Sequence, residues 1–175
     1  EYLKKIDQDD RKKLRKLGVK FGRYHVFLFK LFKPSSVSLR ILLWKNYNNN
    51  FLNLSPPIFG LNFLNDMKSA NKEFMLLCGF EKFDDIYVRI DILERLFLLI
   101  FNSEKDNKKE IKVVPEMLNL LGCSKENFMK LLKKMDYKIY EKDKEFFIKY
   151  IPLNKKISKK HDKKDYSNNP FSVLN

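Results

Sequence analysis

A chain of 175 residues with a hydrophobic fraction of 44% is long enough for one domain, or for two small ones sharing a core. Its 36 Lys and Arg against 22 Asp and Glu leave a formal net charge of +14, which attracts polyanions: nucleic acid, acidic protein or an anionic membrane surface. Lys dominates over Arg, which suits loose phosphate contact better than bidentate base reading, although an AT-rich genome inflates Lys, Asn, Ile and Phe as well. No signal peptide is visible and no apolar run reaches the roughly 18 residues of a membrane helix, so a cytoplasmic protein without membrane contact is expected.

In chain order, Tyr2 to Leu17 reads as a basic helix with Leu3, Ile6, Leu14 and Leu17 as its apolar positions and Gly18 as its stop. Arg11, Lys12, Lys13, Arg15 and Lys16 fit a solvated face more simply than a phosphate site. Gly18 to Gly22 is a turn or short strand. Tyr24 to Phe32 is so dense in aromatic and apolar residues that periodicity does not separate strand from buried helix, and a core role outweighs base stacking there. Pro34 opens a helix to Trp44 or Tyr47 that is apolar nearly all round, which predicts a central place in the packing. Asn48 to Asn50 and Ser55 to Pro57 mark a boundary near residue 50.

Asp66 to Cys78 reads as a helix capped by Asn65 or Asp66 and ended by Gly79. Phe80 to Ile90 reads as a hairpin turning at Asp84 and Asp85. Asp91 to about Asn102 is a mostly buried helix whose Asp91 and Glu94 have capping-box spacing. Ser103 to Glu110 is a charged loop, and Ile111 to Val114 a short β-prone piece. Pro115 suits the first turn of a short helix and Gly122 its left-handed end. Ser124 caps the next helix, in which Phe128, Leu131, Leu132 and Met135 share one side and Lys125, Lys130, Lys133 and Lys134 are left largely to the other. Tyr137 to Tyr140 and Glu145 to Ile151 form a hairpin across a charged turn. After Pro152 the lysines crowd a segment with almost no apolar residues, which reads as disordered, with a short apolar island at Pro170 to Leu174.

The fold class expected is therefore mainly α with small β-hairpins: a helical piece over 1–50, a linker, helix and hairpin over 51–90, a winged-helix-like unit over 91–152, and a basic tail over 153–175. Helix, strand, helix, helix, strand, wing, strand is the order of a winged helix-turn-helix. The residues placed against a nucleic-acid backbone are Lys125, Lys130, Lys133 and Lys134 on the second helix of that unit, with Lys142 and Lys144 on the wing. Cys78 and Cys123 stand alone and read as reduced, buried thiols. His25 and His161 show no ligand spacing, and no phosphate loop, dinucleotide fingerprint or nucleophile–base pair is present, so no catalytic centre and no cofactor is assigned.

Four stretches in order carry a family resemblance: Leu17-Gly-Val-Lys-Phe-Gly22 continuing through Phe32-Lys-Pro34 to Leu39-Arg-Ile-Leu-Leu-Trp44, then Val88-Arg-Ile-Asp-Ile-Leu-Glu-Arg-Leu96, then Pro115-Glu-Met-Leu-Asn-Leu-Leu-Gly-Cys-Ser124, and more weakly Pro170-Phe-Ser-Val-Leu174. Together they resemble the C-terminal region of bacterial superfamily-two helicases (DEAD/DEAH type) related to the mitochondrial degradosome RNA helicase. Phe29 stands where that family tends to have proline, and the Lys-rich tail replaces an Arg- and Pro-rich one. The resemblance implies an ATP- and Mg-dependent unwinding motor upstream of Glu1 in the same polypeptide, and RNA as the polymer. The absence of an initiator Met at Glu1 fits that expectation of a segment from a longer protein. Two other readings stay open: a protein-docking module in which Pro34 to Trp44 packs on the helicase core, and a free-standing winged-helix DNA-binding regulator.

Overall fold

The computed structural model describes residues 5–48, 54–65, 70–106, 110–142 and 144–150. Among them lie six α-helices and three small antiparallel sheets, a mixed α/β architecture in outline like the expected helices with small hairpins. The boundary near residue 50, the first part of the helix expected over 66–78 and the tail over 153–175 fall largely or wholly outside the described residues; of the loop expected over 103–110, residues 103–106 instead continue the preceding helix and 107–109 are not described.

The main core belongs to the C-terminal unit, which runs α4 (Ile90–Asp106), β6 (Ile111–Lys112), α5 (Pro115–Leu121), α6 (Lys125–Lys134), β7 (Tyr137–Lys142) and β8 (Glu145–Tyr150). Its sheet has the order β6-β8-β7, with Ile111 opposite Ile148 and Ile139 opposite Ile148 on the other side. Leu93, Leu96, Met117, Leu121, Phe128, Leu131, Leu132 and Ile148 pack there with almost no exposure. Burial of such side chains contributes about 1.5–3 kcal/mol each, an upper figure that a compact unfolded chain reduces. The local signals hold where they are local. Pro115 sits in the first turn of α5, and Gly122 ends it at φ 67°, a conformation that penalises any residue with a Cβ. The Ser124 hydroxyl accepts from the Asn127 N–H at the start of α6.

A second, smaller cluster gathers Val37, Ile41, Phe74, Met75, Cys78, Phe80 and Tyr87. It joins α2 (Pro34–Tyr47) and α3 (Lys72–Leu77) to the hairpin β4 (Phe80–Phe83) and β5 (Ile86–Arg89), which turns at Asp84 with φ 61°. Strand β5 also pairs with β3 (Phe63–Leu64), a two-residue strand that has no sequence signal. Helix α3 begins later than expected, because Asn71 rather than Asn65 or Asp66 caps it by accepting from the Phe74 N–H. Ile86 and Val88 on β5 pack into the main core while Tyr87 between them packs into the second, so one alternating strand ties the two clusters together.

The N-terminal piece departs from expectation in three ways. Helix α1 spans Gln8–Lys16, since the Asp7 carboxylate caps it by accepting from the Asp10 N–H at 2.7 Å, and it buries no residue. The aromatic run, open between strand and helix, is a strand, β2 (Val26–Leu28), paired with β1 (Val19–Phe21), and then a 3-10 turn over Phe29–Phe32; Tyr24, Val26, Phe29 and Leu31 are exposed, against the core role expected of it. Helix α2 is not central: only Val37 and Ile41 are buried, whereas Leu39, Leu42 and Leu43 are each more than half exposed. An all-apolar helix cannot tell by periodicity which side meets the protein.

What holds β1 and β2 to the C-terminal unit is a buried carboxylate. Glu94 on α4 is 4% exposed and accepts from three successive backbone N–H groups, Arg23 at 2.6 Å, Tyr24 at 2.9 Å and His25 at 2.8 Å. The His25 ring adds Nδ1 at 2.8 Å from the same carboxylate and reaches Glu81 with Nε2 at 3.2 Å. The turn lies so close that a Cβ on Gly22 would come within 2.3 Å of the Glu94 carboxylate. The capping box therefore does not form: Asp91 instead takes a two-pronged hydrogen bond from Arg89, at 2.7 and 3.1 Å.

Candidate nucleic-acid interface

Helix α6 turns Phe128, Leu131 and Leu132 inward, which fixes Glu126, Lys130 and Lys133 on the opposite side, all exposed. Of the four α6 lysines singled out by sequence, Lys130 and Lys133 thus stand one turn apart on the outward face. Lys125, also exposed, lies on the flank toward the β7–β8 hairpin, with Nζ 3.7 Å from the Phe146 ring centroid on β8, a cation–π contact that links the helix to the hairpin. Lys142 ends β7 and Lys144 sits in the turn at φ 62°, and both are exposed. Of these five lysines, three lie on α6 and two at the turn of the β7–β8 hairpin that follows it, where Lys142 is on the sheet face turned away from the core.

Lys134 differs. Its ammonium donates to Asp84 and Asp85, each at 2.6 Å, and its side chain is 25% exposed. These hydrogen bonds raise its pKa above the ordinary 10.5, so it stays a charged strut between α6 and the β4–β5 turn. The acidic pair that reads as a solvated turn is half of this tie.

The register of the hairpin places a further set of residues together that the sequence reading passed over. Tyr137, Ile139 and Glu141 alternate with Lys138, Tyr140 and Lys142 along β7. Ile139 faces the core, so Lys138, Tyr140 and Lys142 face away from it. Across the ladder Lys138 opposes Lys149 and Tyr140 opposes Phe147, the two rings nearly parallel with centroids 6.0 Å apart. Alternation of this kind was visible in the sequence once the turn near residue 143 fixed the register. On the same face Lys112, the ladder partner of Phe147, is paired to Glu145 at 2.5 Å. The Tyr140 hydroxyl is buried, and that burial, with the Glu110 carboxylate adding to it, pushes the phenol up to about 12.

Elsewhere, a cavity of about 270 Å³ lies between the N-terminal turn and the C-terminal unit, lined by Tyr24, His25, Glu81, Phe83, Phe97 and Tyr150 among others. No group of three or more His, Cys, Asp and Glu that could hold a metal occurs among the described residues. Cys78 is buried and Cys123 half-buried, and burial pushes both thiols up to about 11, which removes thiolate chemistry at neutral pH. No helix of the described residues is long and apolar enough to cross a membrane. No family model matches the chain, and no curated protein or solved structure matches it either, so the functional reading rests on its residues and their geometry.

Proposed function

We propose that the chain is an accessory nucleic-acid-binding segment of an ATP-dependent helicase, its C-terminal unit a winged helix with α6 in the recognition position and β7–β8 as the wing. The observation that supports this reading is the order α4-β6-α5-α6-β7-β8 with strand order β6-β8-β7, in which a helix with outward lysines is followed directly by a hairpin with lysines at its turn. Lys125, Lys130, Lys133, Lys142 and Lys144 act by neutralising phosphates, a contact that is independent of sequence and weakens steeply with salt. RNA is the polymer that the helicase resemblance favours. The ATP and Mg of the parent enzyme act in motor domains upstream, and no residue here takes part in that chemistry.

A second reading is favoured by a specific observation. Leu39, Leu42 and Leu43 on α2 are 56%, 56% and 58% exposed, and Tyr47 below them is 88% exposed. An apolar helix face left open in this way suits packing on another part of the parent protein, such as its motor core. Charge reversal at Lys130 and Lys133, which leaves the Lys134 tie intact, separates the two. Loss of RNA binding by Lys130→Glu/Lys133→Glu with the chain still folded supports the nucleic-acid role. Unchanged RNA binding, with motor association lost in Leu39→Ser/Leu43→Ser, supports docking and overturns the first reading.

A further inference from the structure

On the outward face of the sheet β6-β8-β7 two lysines are set against each other. Lys138 and Lys149 are directly opposed on neighbouring antiparallel strands, both are exposed, and neither has an acidic partner among the described residues. Like charges so placed repel each other and weaken the ladder unless an anion sits between them. The next pair along the same face, about 7 Å away at two residues of strand rise, is Tyr140 with Phe147, a parallel aromatic pair outside the main hydrophobic core. A pair of cations next to two half-buried aromatic rings answers the two chemical demands of unpaired nucleic acid, phosphate charge and an unstacked base face. A duplex meets only the first, because its bases are stacked on one another.

We infer that this sheet face is a second contact for the polymer, taking a single-stranded stretch with one base against the Tyr140–Phe147 pair and the adjoining phosphate between Lys138 and Lys149. The inference rests on the nucleic-acid reading above and adds the form of the substrate: α6 and the wing tip hold backbone of any kind, and the sheet face selects an unpaired strand. For a segment attached to an unwinding motor, that is the product side of the reaction rather than the duplex entering it.

The test uses the full 175-residue chain, a fluorescein-labelled short oligouridylate, a blunt RNA duplex, and thermal melting to check folding. Tyr140→Leu/Phe147→Leu keeps apolar bulk and removes the rings; it should weaken oligouridylate binding by about tenfold and leave duplex binding unchanged. Lys138→Gln/Lys149→Gln, which removes the one phosphate contact held between the two lysines, should lower the slope of log affinity against log salt for oligouridylate by about 0.7. If both variants bind oligouridylate like the unaltered chain while Lys130→Glu/Lys133→Glu does not bind, the sheet-face site is wrong and the α6 reading stands. If the leucine variant loses duplex and single strand equally, the selection for an unpaired strand is wrong. Polyglutamate displacing oligouridylate equally well would assign the face to an acidic protein segment and overturn the inference. Failure of the unaltered chain to bind either RNA overturns this inference together with the reading beneath it.

Discussion

The two ends of the described chain are held by different physics. The C-terminal unit, Ile90 to Tyr150, closes around side chains with almost no exposure, and its helices read from caps and apolar spacing. The N-terminal turn at Arg23, Tyr24 and His25 is tied by backbone hydrogen bonds to one carboxylate, with the Tyr24 ring against Phe97 and Arg23 over Phe101, while helices α1 and α2 leave most of their surface open. Apolar burial is spread over many residues, so it announces itself in a sequence as a period. A carboxylate received by three backbone N–H groups announces itself through one glycine and one glutamate some seventy residues apart, and no local pattern connects them. The contrast predicts that damage to the first kind of region unfolds the unit, whereas damage to the second releases an element and leaves the rest standing.

The largest effect should come from the core. Phe128→Ala removes a side chain of no exposure and should destabilise the chain by about 3–5 kcal/mol in urea unfolding. A value below about 1 kcal/mol would mean that α6 is not packed as described. Next comes Glu94→Ala, which leaves three N–H groups and the His25 ring without their acceptor. Unsatisfied buried donors cost about 1–3 kcal/mol each, but this turn can lift off and meet water, so about 2 kcal/mol in total is expected. Amide exchange should become fast at residues 23–25 while α6 amides keep their protection. Equal loss of protection at both ends would erase the proposed contrast. Gly22→Ala should reproduce the local release with Glu94 intact, because the added Cβ meets the carboxylate.

A smaller effect tests the strut between the regions. Lys134→Met should cost less than about 1 kcal/mol, since Asp84 is 80% exposed and water screens the pair, yet more than Lys133→Met on the open face. The tie is fully present at neutral pH and is lost as pH rises past the ordinary lysine range, because the folded state holds that proton more tightly. The smallest effects concern the thiols. With both thiols moved from the ordinary 9.0 to about 11, their contribution to stability is complete below pH 9 and falls as pH climbs toward 11. Alkylation at pH 8 should be slow at both, slower at buried Cys78 than at Cys123. Rapid labelling of Cys78 would show that the second cluster opens readily.

What was legible follows the same division. Pro115, Gly122 and Ser124 each satisfy or end a backbone pattern within a few residues, so a single chain suffices to read them. Phe80 to Arg89 was legible as a hairpin because Asp84 tolerates the left-handed turn. Asp91 and Glu94 misled, since their spacing suits a capping box while their real partners, Arg89 and the turn at 23–25, lie outside the helix. Lys134 was placed with the other α6 lysines because a wheel sorts faces by angle and cannot see Asp84 and Asp85 arriving from another hairpin. The exposure of Leu39, Leu42 and Leu43 was hidden for the opposite reason: every side of α2 carries apolar residues, so nothing distinguished the covered side.

The central proposal is that the outward lysines of α6 and those at the β7–β8 turn meet nucleic-acid phosphates, and a salt titration of binding reaches it most directly. For the unaltered chain on labelled single-stranded RNA, log affinity should fall linearly and steeply with log salt, and Lys130→Glu/Lys133→Glu should flatten that line by about 0.7 per lysine removed, with an unchanged melting temperature. An affinity that stays the same from low to moderate salt, or a line that the double charge reversal does not move, would contradict it.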